Sequence, residues 1–277
     1  MLTDYHLHLR PDDPAADAAT YFTGANAERY RAVAEERGIA ELGCAEHVYR
    51  FAQALEVWQH PLWRESAVDD IDAYAAFVRE QTDLKLGIEA DFVVGREDRM
   101  ATLLQAREWD FVVGSVHFVG EHAVDHDGYE VWDHRSQRPD ALWRRYFETL
   151  GEAARCGLFD VLAHPDLVKY WGPTRRPVPE GDLRRFYDLA MDGIAESQIA
   201  VEVSTAGLRK PVGELYPAPA FLEMCVDAGC PVALSSDAHA PGDVGRDYEA
   251  ALELLERLGV GELAVFERRE RRLEAIG

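Results

Sequence analysis

Seven short apolar runs recur along this chain of 277 residues, and nearly every one ends in a side chain that can ligate a metal ion. Residues 2–9 carry His6 and His8, and residues 39–47 end in Glu46 and His47. Residues 85–91 hold Glu89, residues 110–117 end in His117, and residues 159–164 end in His164. Residues 198–205 hold Glu202, and residues 230–239 carry Asp237 and His239. Segments of helical period separate these runs. Such alternation implies parallel strands joined by right-handed crossovers. A doubly wound sheet would gather its ligands at one switch point. Ligands at the end of every strand favour a closed or nearly closed barrel of about seven strands, whose C-terminal rim carries the chemistry.

Helical segments are expected at 26–37 before Gly38, at 70–80 with Ile71, Tyr74 and Val78 in register, and from Asp140 to Cys156-Gly157. Others fit 182–197, 221–229 and 247–259. Glycine just past a helix end is the usual left-handed closing residue. Three long loops, 48–69, 118–139 and 169–181, are rich in aromatic and charged residues, and long loops in a compact domain tend to be functional. No linker divides the chain, so residues 1–277 are read as one domain. Residues 262–272 suggest an extra strand with a charged tail.

Charge narrows the partners. Against 29 Lys and Arg stand 51 Asp and Glu, a net of −22. Nucleic acid and anionic membrane both require a positive surface, so neither is expected. No apolar run approaches the roughly 18 residues of a membrane span, and no secretory signal is visible. Cys44, Cys156, Cys225 and Cys230 form no C-x-x-C pair. Reduced, structural cysteines in a cytoplasmic protein are expected.

His6 and His8 share one side of a strand because side chains alternate with period two, and Asp237 and His239 repeat the spacing. Either pair alone is a weak signal. Together with His47, Glu89, His117 and His164 at corresponding strand ends they form a set. Histidine and carboxylate without thiolate suit catalytic Zn, Mn or Fe. About eight ligands exceed what one tetrahedral ion uses, so two or three divalent ions are expected. Clustered ions of this kind clamp the oxygens of a phosphoryl group.

The stretches DYHLHLR, AEHVYRF, GIEADF, GSVHF, LAHPDLVKYWG, VEVSTAGLRKPVGELYP and LSSDAHAP, which run from residue 4 to about 245, resemble the polymerase and histidinol phosphatase (PHP) superfamily. Within it the chain looks most like the monofunctional L-histidinol-phosphate phosphatases, through HPDLVK, STAGLRK and ELYP. The resemblance implies a distorted (β/α)7 barrel. It also implies hydrolysis of L-histidinol phosphate in histidine biosynthesis, with a small phosphorylated substrate as the partner. It assigns His6, His8, Glu89 and Asp237 to one ion, and His117 and His164 with bridging Glu89 to a second. His47 and His239 would hold a third. The family's further histidine falls at Pro14 here, and Asp12 or Asp13 is the expected substitute.

Lys169 and Arg209 match the cations that such phosphatases place on phosphate, and both have suitable chemistry. Asp237 or a water is the candidate general acid. Glu202 is expected to meet the substrate amine, with Phe51, Trp58 or Tyr170 stacking its ring and Glu46 orienting a ligand histidine. His60, His122, His126 and His134 are read as loop histidines outside the site, His126 being the nearest to it. The rival readings are a PHP enzyme acting on a nucleotide monophosphate or a phosphodiester, an inactive metal-binding protein, and an amidohydrolase-like deaminase. The deaminase is disfavoured because no lysine stands at a strand end.

Overall fold

Seven parallel strands form one sheet. They are β1 (Leu2–Leu7), β2 (Ile39–His47), β3 (Lys85–Asp91), β4 (Phe111–Ser115), β7 (Val161–Leu162), β8 (Ala200–Ser204) and β9 (Val232–Ser235), neighbours in that order. Between β4 and β7 lies a small antiparallel ribbon of β5 (Phe118–Val119) and β6 (His122–Ala123). A parallel bridge between Leu7 and Ala238, with His8 N–H donating to the Ala238 carbonyl at 2.8 Å, joins the two ends of the sheet. The barrel is thereby nearly closed. The computed structural model describes residues 1–13, 15–126, 128 and 138–277. Pro14, Tyr129, Trp132 and His134 of the sequence reading lie outside these.

Helices cover the outer face at the expected places. They start where side chains satisfy free N–H groups: Thr23 accepts from Asn26 before Gly24–Glu36, and Asp70 accepts from Asp72 and Ala73 before Ile71–Gln81. Pro139 opens the helix Pro139–Arg155 at its first turn, where a missing N–H costs nothing. Leu42, Cys44, Leu86, Ile88, Val112, Val201 and Val203 face these helices and are buried. Both faces of the sheet are covered, as all-parallel strands require.

The inward positions form layers of changing polarity. Tyr5 and Phe111 sit low in the barrel, and Ala45, Val113, Val161, Ala200 and Ala233 belong to the same apolar cluster. A Cβ on Gly43 or Gly87 would lie 2.5 or 2.2 Å from the Phe111 ring, so both glycines exist to admit that ring. Two residues beyond Ala45, Val113, Ala200 and Ala233 come His47, Ser115, Glu202 and Ser235, and Glu89 follows Gly87 by the same step; on β7 the same step reaches Ala163, still apolar. Period two thus carries the interior from apolar to polar at one end.

The opposite end has a floor. β10 (Glu262–Glu267) and β11 (Glu270–Ala275) pair as a hairpin, and Ala264, Val265 and Phe266 join the interior cluster. Phe266 meets Tyr5 edge-on at 5.9 Å. The expected extra strand with a charged tail is therefore a hairpin that plugs the barrel.

Candidate metal centre

Apart from β2 and β3, the strands are shorter than the apolar runs that announced them, and at β4, β7 and β9 the chain leaves the ladder before the residue that carries the ligand. β4 ends at Ser115, two residues before His117. β7 spans two residues, with His164 beyond it at φ 25°, and Asp237 follows β9 at φ 49°. Such φ values are uncommon for residues other than glycine and mark sites that the surroundings over-determine.

Glu89 is the hub. One or other of its oxygens lies 3.4 Å from His6 Nε2, 3.7 Å from His8 Nε2, 3.4 Å from His117 Nε2 and 3.0 Å from His164 Nε2, and His47 Nδ1 is against it as well. Asp237 is 3.3 Å from His8 Nε2 and 3.4 Å from His239 Nδ1. The ligand atoms form four overlapping groups with metal-ligand spacing: His6, His8 and Asp237; His6, Glu89 and His164; His47, Glu89 and His117; and His8, His47 and His239. All eight expected ligands are brought together. However, His8 is shared with the His47–His239 end rather than confined to one set.

Whether cations suit this cluster can be tested on its buried atoms. His6 Nε2, both nitrogens of His8, His47 Nδ1, His164 Nδ1 and Glu89 Oε2 are buried and make no hydrogen bond within the protein. Buried polar atoms are normally satisfied. Of the unsatisfied atoms, His6 Nε2, His8 Nε2, His47 Nδ1 and Glu89 Oε2 lie within the cluster and fit divalent ions, while His8 Nδ1 faces Glu46.

Electrostatics agree. Burial disfavours charge on His6 and His117, yet Glu202 and Glu89 raise the first well above its ordinary value, and Glu89 with Asp91 lifts the second to about 10. Burial also opposes ionisation of Glu89 and Asp237, but neighbouring imidazoles, led by His47 and His6 respectively, hold both well below the usual carboxylate range. Asp237 is thus held in the ionised form in which a carboxylate can ligate a cation.

Glu202 requires correction. Only 1% exposed, it cannot reach a substrate amine. Its Oε1 meets His6 Nδ1 at 2.8 Å and accepts from Ser235 Oγ at 2.7 Å, while Oε2 accepts the His164 N–H at 2.7 Å. One carboxylate thus positions two candidate ligands. Asp91, missed in the sequence although it follows Glu89 by one strand period, does the same for His117 Nδ1 at 2.8 Å. Glu46 does not have this role: it lies 3.9 Å from His8 Nδ1 and is engaged by Arg50 and the Arg10 N–H. Partners that fix a ligand imidazole typically contribute about 10- to 100-fold to metal affinity. Glu202→Gln should weaken Zn binding by roughly that factor in calorimetric titration. Affinity within about twofold of wild type would refute the role.

Beside the cluster opens a cavity of about 420 Å³, lined among others by Arg10, Asp12, Tyr49, Arg50, Asp125, Tyr170 and Lys210. Asp12, and not Asp13, stands where the absent histidine was expected. Its Oδ2 is 2.9 Å from His239 Nε2 and its Oδ1 is 3.7 Å from His47 Nε2, whereas Asp13 accepts the Ala15 N–H.

The expected phosphate cations are elsewhere. Lys169 is 5% exposed, and its ammonium is taken by Asp166 at 2.9 Å, Glu214 at 2.7 Å and the Leu215 carbonyl at 2.7 Å. Arg209 donates to the Ser236 carbonyl at 2.6 Å and faces Asp243. Neither lines the cavity. Lys210 does, and its ammonium makes no ion pair among the described residues; it sits 5.7 Å from the Tyr170 ring centroid. Arg10 and Arg50 are committed to Asp69, Glu46 and Asp12. Phe51 and Trp58 are packed in the core, so of the three expected ring-stacking residues only Tyr170 lines the cavity. Tyr49, unsuspected in the sequence, also lines it and stacks on His47 at 4.7 Å. His126, set aside as a loop residue, lines it too.

A nearly closed seven-stranded parallel barrel with a histidine and carboxylate cluster at its C-terminal rim is a metallohydrolase architecture, and the comparisons agree. The PHP domain profile matches residues 21–206, and the chain belongs to that family. A probable histidinol-phosphatase of Deinococcus radiodurans is 32% identical over 276 residues, which cover 97% of this chain and 98% of that protein. The histidinol-phosphatase of Bacillus subtilis is 25% identical over 202 residues, covering 68% and 75%. Among solved structures, the fold is similar to histidinol phosphate phosphatase of Lactococcus lactis, crystallised with Zn, L-histidinol and phosphate. The TM-score is 0.70 at 19% identity, with 98% of each chain covered. Among the described residues no helix is long and apolar enough to cross a membrane.

Proposed function

We propose that residues 1–277 form one PHP barrel domain that hydrolyses L-histidinol phosphate to L-histidinol and phosphate in the cytoplasm, using two or three divalent ions of Zn, Mn or Fe. The observation that carries this reading is the group of buried ligand atoms without hydrogen bonds beside a cavity whose Lys210 ammonium makes no ion pair among the described residues. The relative that is 32% identical over nearly the whole of both chains supports the substrate. His6, His8, Glu89, Asp237, His117 and His164 would hold two ions, and His47, His239 and Asp12 a third. When bound, the ions supply Lewis acidity toward phosphoryl oxygens and make a water acidic at neutral pH.

The chain's own residues do the rest. Lys210 takes the phosphate role expected of Lys169 and Arg209. Its ammonium, over Tyr170, neutralises equatorial oxygens as charge develops, which is the usual electrostatic contribution to phosphoryl transfer. Burial lowers the affinity of Lys210 for its proton, but the surrounding acidic groups, Asp237 first and then Tyr170, Asp12 and Asp125, together more than offset this and keep it charged. Arg209 holds the Ser236 carbonyl and so positions the turn that carries Asp237. Glu202 and Asp91 keep the His6 and His117 rings aimed inward.

Phosphate release from L-histidinol phosphate, AMP, p-nitrophenyl phosphate and a bis-ester, each with Zn, Mn and Fe, tests the reading. A preference of about a hundredfold for L-histidinol phosphate is expected, beyond what one methylene in a pocket supplies. Comparable rates on all four would sink the substrate assignment, and no release from any would sink the phosphatase.

A further inference from the structure

The substrate proposed above is a zwitterion, with a phosphate at one end and a protonated primary amine beside the alcohol carbon. A cleft that selects it needs an unspent carboxylate as well as an unspent cation. The cavity wall contains five carboxylates: Asp12, Asp13, Glu65, Asp125 and Asp237. Asp12 is paired with Arg50 and His239, Asp13 accepts the Ala15 N–H, and Asp237 lies among the candidate ligands. Glu65 is engaged as well. Asp125 alone makes no hydrogen bond or ion pair among the described residues.

Its position is firmly built. Val124, fully buried, donates its N–H to the His117 carbonyl at 2.8 Å, and its own carbonyl accepts from Trp171 Nε1 at 2.9 Å. Asp125 is therefore held one residue beyond a backbone clamped to a candidate ligand. His117, Tyr49, Lys210 and Tyr216 line the same cavity. Tyr49 and Tyr170 supply aromatic walls near it and near Lys210.

We infer that Asp125 is the specificity-determining carboxylate, receiving the substrate's ammonium while the metal centre and Lys210 receive its phosphate. This rests on the functional reading above and assigns to Asp125 the role first expected of Glu202. Asp125→Asn, which keeps the shape and removes the charge, should raise KM for L-histidinol phosphate by about 10- to 100-fold, the range for one charge-assisted contact, with kcat little changed. The comparison substrate is the same imidazolyl alkyl phosphate without the amine. On it, the metal-loaded wild type and variant should match, so the variant loses most of the wild type's preference. Thermal melting checks that the variant is folded. An unchanged KM with normal wild-type turnover would overturn the inference alone. An equal loss on both substrates would also overturn it, since it would place Asp125 in the chemistry or in metal retention. If wild type failed to turn over L-histidinol phosphate, the functional reading and this inference would fall together.

Discussion

Glu89→Gln should remove turnover and bound metal in the same step. No other side chain touches so much of the centre: its two oxygens face His6, His8, His47, His117 and His164. Glutamine keeps the volume and can still accept from Ser115 Oγ, which now bonds Oε1. What disappears is the buried negative charge shared by two of the four ligand groups. A carboxylate at the hub of the ligand cluster would support both the affinity of the ions and the charge they present to the substrate. The loss in kcat/KM is expected to be on the order of 10³-fold or more. Elemental analysis after gel filtration should find more than one ion lost per chain. Asp12→Ala provides the graded comparison. Among the candidate ligands it touches only His47 and His239, besides releasing Arg50, and it should lose at most one ion. If Glu89→Gln retained its full metal content and near-normal turnover while folded, the centre would have to be rebuilt without its hub.

The barrel was legible because its signal is periodic. Strands β2 and β3 match the expected runs residue for residue, since both continue unbroken into their ligands. β7 contracts to Val161–Leu162 because the chain turns out of the ladder to present His164. That turn is imposed by the site and leaves no mark in an apolar count. Similarly, eight candidate ligands could be gathered from strand ends, because parallel register brings those ends to one rim. The sequence does not reveal what a polar group is aimed at. Glu202 and Glu89 look alike as strand-end carboxylates, yet one faces the centre and the other faces the backs of His6 and His164. Asp125 gave no signal, since an acidic residue in a loop of a chain this acidic is ordinary. The floor formed by Ala264, Val265 and Phe266 was only half visible as an extra strand, because which barrel end it closes is a tertiary fact.

The same ambiguity separates Lys169 from Lys210, and two substitutions resolve it. Lys169 sits in HPDLVK, and on composition it is as good a phosphate ligand as Lys210. In the fold, its three ammonium donors already meet Asp166, Glu214 and the Leu215 carbonyl. Asp166 is fully buried and also accepts the Ala218 N–H at 2.8 Å. Lys169→Met therefore strands a buried carboxylate. Breaking a buried pair from one side typically costs about 3–5 kcal/mol, partly relieved here by protonation and by the Ala218 bond. The expected result is a clear fall in denaturant midpoint, with kcat/KM per folded molecule within about threefold. Lys210→Met has the opposite signature. It removes from the cavity wall a cation with no ion-pair partner among the described residues, so the fold loses little. Withdrawal of one charge from a phosphoryl site, comparable to deleting an oxyanion donor, should lower kcat/KM by about 10²–10³-fold. The wild-type stability and the variant activities form a crossed pair, so a general loss of folding cannot mimic the outcome. If Lys169→Met abolished turnover at unchanged stability while Lys210→Met was neutral, the phosphate would belong at Lys169 and the salt bridge to Asp166 would have to open when substrate binds.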